Sequence, residues 1–212
     1  MMRSVLAAAL AAAIAVGSAT ASGGPSLLNP ASLRATAPAV FSVKFTTTKG
    51  SFVVKVTRSW TPRGADRFYN LVLNHFYDNQ PIYRVQPGYV VQWGISGKPA
   101  IAKAWRYAFI KDDPARHADT KGTMVFAHAL GYKNTRTTQI FVNLRTNVLG
   151  KSFAPFGIIT SGMPVFKALY HGPGLHGYYA YNNQPQMIKY GAKWDRKWFP
   201  KLDWIKTARL LP

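Results

Sequence analysis

One cation and one amide, Arg84 and Gln92, stand eight residues apart in the apolar, strand-like run Ile82-Tyr83-Arg84-Val85-Gln86-Pro87-Gly88-Tyr89-Val90-Val91-Gln92-Trp93-Gly94. An arginine is charged at every relevant pH and offers a rigid fork of donors. An amide beside it can hold that fork or help to bind a ligand. Apolar neighbours exclude water and strengthen whatever contact the cation makes. The set has no nucleophile, so the chemistry it suits is electrostatic stabilisation of a polarised state. Two later segments belong with it: Val125-Phe126-Ala127-His128-Ala129, and Arg136-Thr137-Thr138-Gln139-Ile140-Phe141-Val142-Asn143.

Other constellations are weaker. His171 and His176 flank Gly-Pro-Gly-Leu with no carboxylate or Cys near, so no metal site is expected. Asp112-Asp113 reads as turn chemistry in a loop. There is no Gly-rich phosphate loop, and no Ser sits in a nucleophile elbow. No cofactor is expected.

The first 21 residues read as a secretory signal peptide. Met1-Met2-Arg3 is a positive start, Ser4 to Gly17 is apolar, and Ala19-Thr20-Ala21 is a small-x-small cleavage pattern before Ser22. The apolar stretch, about 14 residues, is short of the roughly 20 that a spanning helix needs. This predicts a periplasmic or secreted protein with no membrane span after cleavage. Residues 22–38, rich in Pro, Gly, Ser and Ala, read as a flexible linker. Residues 39–212 suit one domain.

The chain has 27 Lys and Arg against 7 acids, all Asp, for a formal net charge of +20, and no Cys. Such a field attracts polyanions, so weak polyanion binding is an expectation. The basic residues are dispersed, and no nucleic-acid module is recognisable, so no specific nucleic acid is expected. Their densest region, Lys189 to Arg209, alternates with aromatics.

The elements that must position Arg84 and Gln92 are mostly strands. Phe41, Val43 and Phe45 alternate with polar residues, as do Phe52, Val54 and Val56 after the turn at Lys49-Gly50, predicting a hairpin. Trp60-Thr61-Pro62 opens a helix, with Thr61 as cap, Pro62 at the first position and an apolar face through Ala65, Phe68, Leu71/Val72 and Leu73. Pro81 to Gly94 reads as a strand pair or bulged strand. Lys111 to Thr120 reads as a loop. Short strands are expected within Gly122–Ala129, Gln139–Asn143, Phe153–Ile159 and Leu202–Leu210. A second helix is expected over Val165–Tyr170, and His171–Tyr190 reads as a long irregular loop. Many short strands with two isolated helices argue for a mainly β, antiparallel structure; closing it removes exposed edges.

Several segments, in order over nearly all of Val40 to Leu211, resemble the cyclophilins, a family of peptidyl-prolyl cis/trans isomerases, and bacterial members above all. They are Gly64 to Leu71, Asn74 to Asp78, Tyr83-Arg84-Val85, Pro87-Gly88-Tyr89, Arg136 to Phe141, Phe153 to Gly157 and Phe199 to Asp203. The resemblance implies a closed eight-stranded antiparallel barrel capped by two α-helices, with the first and last strands neighbours. It implies an isomerase acting as a monomer on proline-containing polypeptides. Arg84 then falls on the catalytic arginine and Gln92 on its amide partner. Tyr89, Val90, Phe141, Leu149 and Phe153 fall on the proline pocket. Ala127 and His128 fall on main chain that meets the substrate backbone, with Gln139 close by.

Taken alone, Arg84 would be a surface cation on a strand, and the aromatics would be barrel core. The chain also departs from the family's pattern. Tyr83 stands where Phe or His is usual, and His128 where Asn, Met or Thr is. The loop Leu130 to Thr135 is about two residues longer. Val148 stands where many eukaryotic members have Trp, which implies weak cyclosporin binding. Trp93-Gly94 replaces Gly-Gly or Phe-Gly. The expected function is catalysis at X–Pro bonds in exported proteins. The alternative is a weakly active or inactive binding module or holdase for anionic partners.

Overall fold

A computed structural model describes residues 26–172 and 180–212. Its core is one curled sheet of nine strands: β1 (Val40–Thr47), β2 (Gly50–Thr57), β3 (Gln80–Pro81), β4 (Arg84–Gln86), β5 (Val90–Trp93), β6 (Thr123–Phe126), β7 (Ile140–Asn143), β8 (Pro155–Ser161) and β9 (Trp204–Leu210). The order across the sheet is β3-β9-β1-β2-β8-β6-β7-β5-β4, every pairing antiparallel. β1 and β9 are neighbours, Val43 facing Leu210.

The expected closed eight-stranded barrel is corrected in detail. Among the described residues there are nine strands, and the two end strands share no ladder. β3 and β4 are instead consecutive in the chain, joined through the buried Ile82 and Tyr83. β3 pairs with β9 and β4 with β5, so the chain steps across the seam rather than zipping it.

The hairpin alternation holds: Phe41, Val43, Phe45 and Thr47 of β1, and Phe52, Val54 and Val56 of β2, point inward. Trp93 fills the centre against Phe45 (5.5 Å) and Phe52 (5.9 Å), so the indole standing where Gly or Phe is usual is core. Gly94 follows it at φ +118°, and a Cβ there would meet the Thr138 carbonyl oxygen at 2.5 Å. Only glycine lets β5 pass this close to the chain that leads into β7.

Among the described residues four α-helices surround the sheet rather than two: α1 (Pro62–Leu73), α2 (Pro99–Trp105), α3 (Val165–Ala168) and α4 (Gln184–Trp198). α1 packs Ala65, Phe68, Leu71 and Val72 on the sheet, whereas Leu73 turns outward. Thr61 gives it no side-chain cap. Asp113 does so from a distant loop, its carboxylate accepting from the N–H groups of Arg63 (3.1 Å) and Gly64 (2.9 Å). The same carboxylate meets the buried Arg136 guanidinium at 3.0 Å. The pair Asp112-Asp113 is thus structural, and one negative charge serves both a helix N-terminus and a buried cation.

α4 occupies part of the segment expected to be an irregular loop. It bends at Gly191 (φ 68°), where a Cβ would meet the Gly97 carbonyl oxygen at 2.3 Å; there α4 packs on α2, and Ala192 N–H donates to that oxygen. From Ser26 onward the segment expected as a linker lies against the domain. Trp105 Nε1 donates to Leu27 O (2.8 Å), Asn70 brackets Ala35 through both its amide atoms, and Ala37 N–H donates to Asp66. Residues 1–25, which hold the expected signal peptide, and His176 lie outside the described residues.

Candidate active site

Arg84 and Gln92 face each other across the β4–β5 hairpin as a register pair. The hairpin is why two residues eight apart meet: Pro87-Gly88 turns the chain, with Gly88 at φ 68°. Arg84 Nη1 donates to Gln92 Oε1 (3.0 Å), and Nη2 donates to Gln86 Oε1 (2.8 Å). Two amides therefore hold the fork from two sides. The Arg84 guanidinium also lies over the Tyr181 ring at 4.9 Å and near that of Tyr89 at 5.8 Å.

The hydrogen-bond chain continues inward. Gln92 Nε2 donates to Gln139 Oε1 (3.0 Å), and Tyr83 O–H donates to the same oxygen (2.5 Å). Tyr83 is buried, and burial pushes its phenol well above the usual value, so it remains a donor.

Beside the cation lies a small apolar cluster separate from the main core. Val90, Val125 and Phe141 form its buried floor, with Tyr89, Ala127, Leu149 and Phe153 packed around it. Phe153 meets Phe141 edge-on at 6.0 Å, and the His128 ring lies against Phe153 at 4.0 Å. Together these groups line a cleft of about 870 Å³. All ten residues singled out from the sequence border it: Arg84, Tyr89, Val90, Gln92, Ala127, His128, Gln139, Phe141, Leu149 and Phe153.

Two details differ from expectation. Ala127 N–H is taken by Gln139 O at 2.9 Å, so it is committed within the protein. His128, expected to contribute main chain only, presents its ring to the cleft. Nδ1 lies 3.0 Å from Ala129 O, and since a carbonyl only accepts, Nδ1–H donates to it.

Sequence reasoning missed the far walls. Tyr181, Gln184 and Ile188, from α4 and the turn before it, form one side; Arg106, Tyr107 and Phe109 form another. The second wall is fastened by Arg67 of α1. Its Nη1 donates to Ala108 O (2.7 Å) and Thr137 O (3.0 Å), and its guanidinium covers the Trp105 ring at 4.9 Å. Burial lowers the Arg67 pKa to about 10, which leaves it charged at neutral pH. Gln86, the second clamp on Arg84, was also missed; its place two residues along the same strand face was the available signal. Among the described residues, no group of three or more His, Asp, Glu or Cys is gathered as a metal site.

The arrangement is a donor with charge, fixed in direction, beside a greasy hollow open to solvent. It can seat a small apolar ring and direct a charge-assisted hydrogen bond at an atom of that ring.

Comparison with known proteins agrees in kind. The family model described as cyclophilin-type peptidyl-prolyl cis-trans isomerase/CLD matches residues 42–187. A "Peptidyl-prolyl cis-trans isomerase-like 1" of Aspergillus oryzae is 31% identical over 130 residues, 60% of this chain and 80% of that protein. A "Peptidyl-prolyl cis-trans isomerase" of Acinetobacter baylyi is 28% identical over 145 residues, 63% of this chain and 76% of that one. A crystal structure of a cyclophilin-type isomerase of Cryptosporidium parvum superposes with a TM-score of 0.61 at 14% identity, covering 82% of this chain and 98% of that one. The last likeness is one of fold.

Proposed function

This chain belongs to the cyclophilin-type family of peptidyl-prolyl cis/trans isomerases, and from that premise we propose that it speeds X–Pro rotation in exported polypeptides with Arg84 as the electrostatic catalyst. Rotation about an amide costs roughly 18–20 kcal/mol because the C–N bond is partly double. Before proline the two isomers are nearly balanced yet exchange slowly. As the bond twists, the prolyl nitrogen pyramidalises and gains a basic lone pair. A donor aimed at that lone pair binds the twisted state better than the planar one, which is the condition for acceleration.

The observation that carries this reading is the double clamp on the Arg84 fork, by Gln92 and Gln86, beside the floor of Val90 and Phe141. The clamp fixes the donor before substrate arrives, so little reorganisation is left for the twisted state. The prolyl ring is proposed to sit on Val90, Phe141, Leu149 and Phe153, with Tyr89 at the edge. The substrate backbone lies along 127–128, with Gln139 near. Its groups meet carbonyls and side chains there, since Ala127 N–H is already used.

The test is cis-to-trans relaxation of an Ala-Pro peptide by wild type and Arg84→Ala. A loss of about 3 kcal/mol of transition-state stabilisation slows the step about a hundredfold. Equal rates for the two proteins would remove Arg84 from the mechanism.

The exported setting rests on Met1 to Ala21, whose positive start, apolar middle and Ala19-Thr20-Ala21 ending fit a leader. Expression in an exporting bacterial host, followed by N-terminal sequencing, is expected to begin at Ser22. A chain retaining Met1 in the cytoplasm would overturn that part alone. A monomer suffices, because one chain carries every group named above.

A further inference from the structure

α4 has a second face, turned away from the cleft. Lys189, Lys193, Lys197 and Lys201 recur every four residues from α4 into the turn after it, and on three of them an aromatic follows directly: Tyr190, Trp194 and Trp198. Spacing of four puts Lys193 and Lys197 on one stripe of the helical stretch after the Gly191 bend, about 6 Å apart along the axis, with Lys189 just before the bend and Lys201 just past the helix end. The rings do form a ladder: Tyr190 to Trp194 at 6.3 Å, Trp194 to Trp198 at 6.5 Å. Lys189 Nζ stands 4.9 Å from the Tyr190 ring centre, and Lys197 Nζ 5.1 Å from that of Trp198. Tyr190 and Trp198 are 47% and 58% exposed, and all four lysines are exposed. The helix's one acid, Asp195, is buried on the opposite side and offsets nothing on this face.

We propose that this face docks the protein on an anionic lipid surface, with the lysines at the headgroups and the indole and phenol edges at the headgroup–acyl boundary. Two features select lipid over a nucleic acid. Stacking of bases needs open ring faces, but Lys189 Nζ lies over the Tyr190 ring and Lys197 Nζ over that of Trp198. Trp and Tyr with an apolar body and a polar tip suit the bilayer boundary, and lysines beside them gain from anionic headgroups. The inference uses no cleft residue and stands apart from the proposed catalysis.

The test is sedimentation of the full chain with neutral phosphatidylcholine vesicles and with vesicles containing about 30% phosphatidylglycerol, together with tryptophan quenching by brominated lipid. Residues 1–25 are common to every form, so differences between variants report the helix face. Wild type should prefer the anionic vesicles and weaken at least tenfold between about 50 and 200 mM salt. Replacing the four lysines with Gln should cost at least thirtyfold on anionic vesicles. Trp198→Ala should reduce the quenching while leaving the salt dependence. Peptide isomerisation, whose groups lie elsewhere, checks that each variant is folded. Vesicle binding unchanged by the lysine replacement would overturn the proposal. So would complete displacement by a short oligonucleotide with no lipid quenching.

Discussion

Tyr83 and Gln139 share a hydrogen bond of 2.5 Å, the phenol donating to Oε1, the same oxygen that accepts Gln92 Nε2. The direction of every bond in the chain follows from this. Gln139 accepts twice, so its Nε2 turns elsewhere; Gln92 is locked with its oxygen toward Arg84. The tyrosine thus fixes which way an amide two residues removed from it in contact must face. Tyr83→Phe deletes one donor and leaves the ring. We expect kcat/KM to fall about three- to tenfold, carried by kcat, since a neutral buried hydrogen bond contributes about 1 kcal/mol. Unchanged kcat with a raised KM would mean that the phenol shapes binding instead.

The Tyr181 ring under the Arg84 guanidinium should contribute through cation–π attraction. Tyr181→Ala is expected to lower kcat/KM about fivefold, or ~1 kcal/mol, and Tyr181→Phe to restore most of it. If Phe fails to rescue, the hydroxyl rather than the ring face is responsible.

Asp113, in the loop before β6, joins α1 to the loop before β7 by way of Arg136, both side chains 1% exposed. Asp113→Ala uncaps the helix and leaves the buried cation with Asp112 at 3.4 Å and the Lys111 carbonyl oxygen. A loss of about 3 kcal/mol is expected in urea unfolding. A variant within half that of wild type would show that Asp112 takes over.

Acid should stabilise this protein. Burial raises Asp119 to about 6 and Asp195 to about 7, the latter offset only slightly by Arg196. The folded form then holds protons that the unfolded chain releases, so both contributions are full below about pH 4 and are lost as pH rises through 6 and 7. Asp66 acts the other way. Burial pushes it up, but its bonds from Arg58 and Ala37 N–H win, so it weakens the fold only when pH falls below the ordinary carboxylate range. Melting temperature should therefore rise from pH 8 to pH 5. Asp195→Asn should raise it at pH 8, by on the order of 1–2 kcal/mol in stability, and flatten the profile. A variant with the wild-type pH slope would remove Asp195 as a cause.

Most of the sheet was legible because alternation is a local signal: Phe41 to Phe45 and Phe52 to Val56 face inward as their spacing requires. The cleft was legible for the same reason, since its floor and its cation come from the pleat of β4, β5 and β7. α4 was not, and its buried stripe explains this. Met187, Gly191 and Asp195 are the residues facing in, and two of the three are not apolar, so no helical period shows. α2 carried a Pro at its first position and buried Ile101, Ala102 and Trp105, but seven residues are too few to display a face clearly. The cap on α1 was misassigned to Thr61 because the true one, Asp113, lies some fifty residues away, where no short-range rule reaches.

The adjacency of β1 and β9 has a temporal meaning. Val43 finds Leu210 only when β9 is free, so a polypeptide made amino end first keeps one flank of its first hairpin unclothed until β9 emerges. Long-range closure of this sort is slow and leaves a sticky margin meanwhile. An isomerase of this family thereby completes its own sheet only once β9 is free to pair.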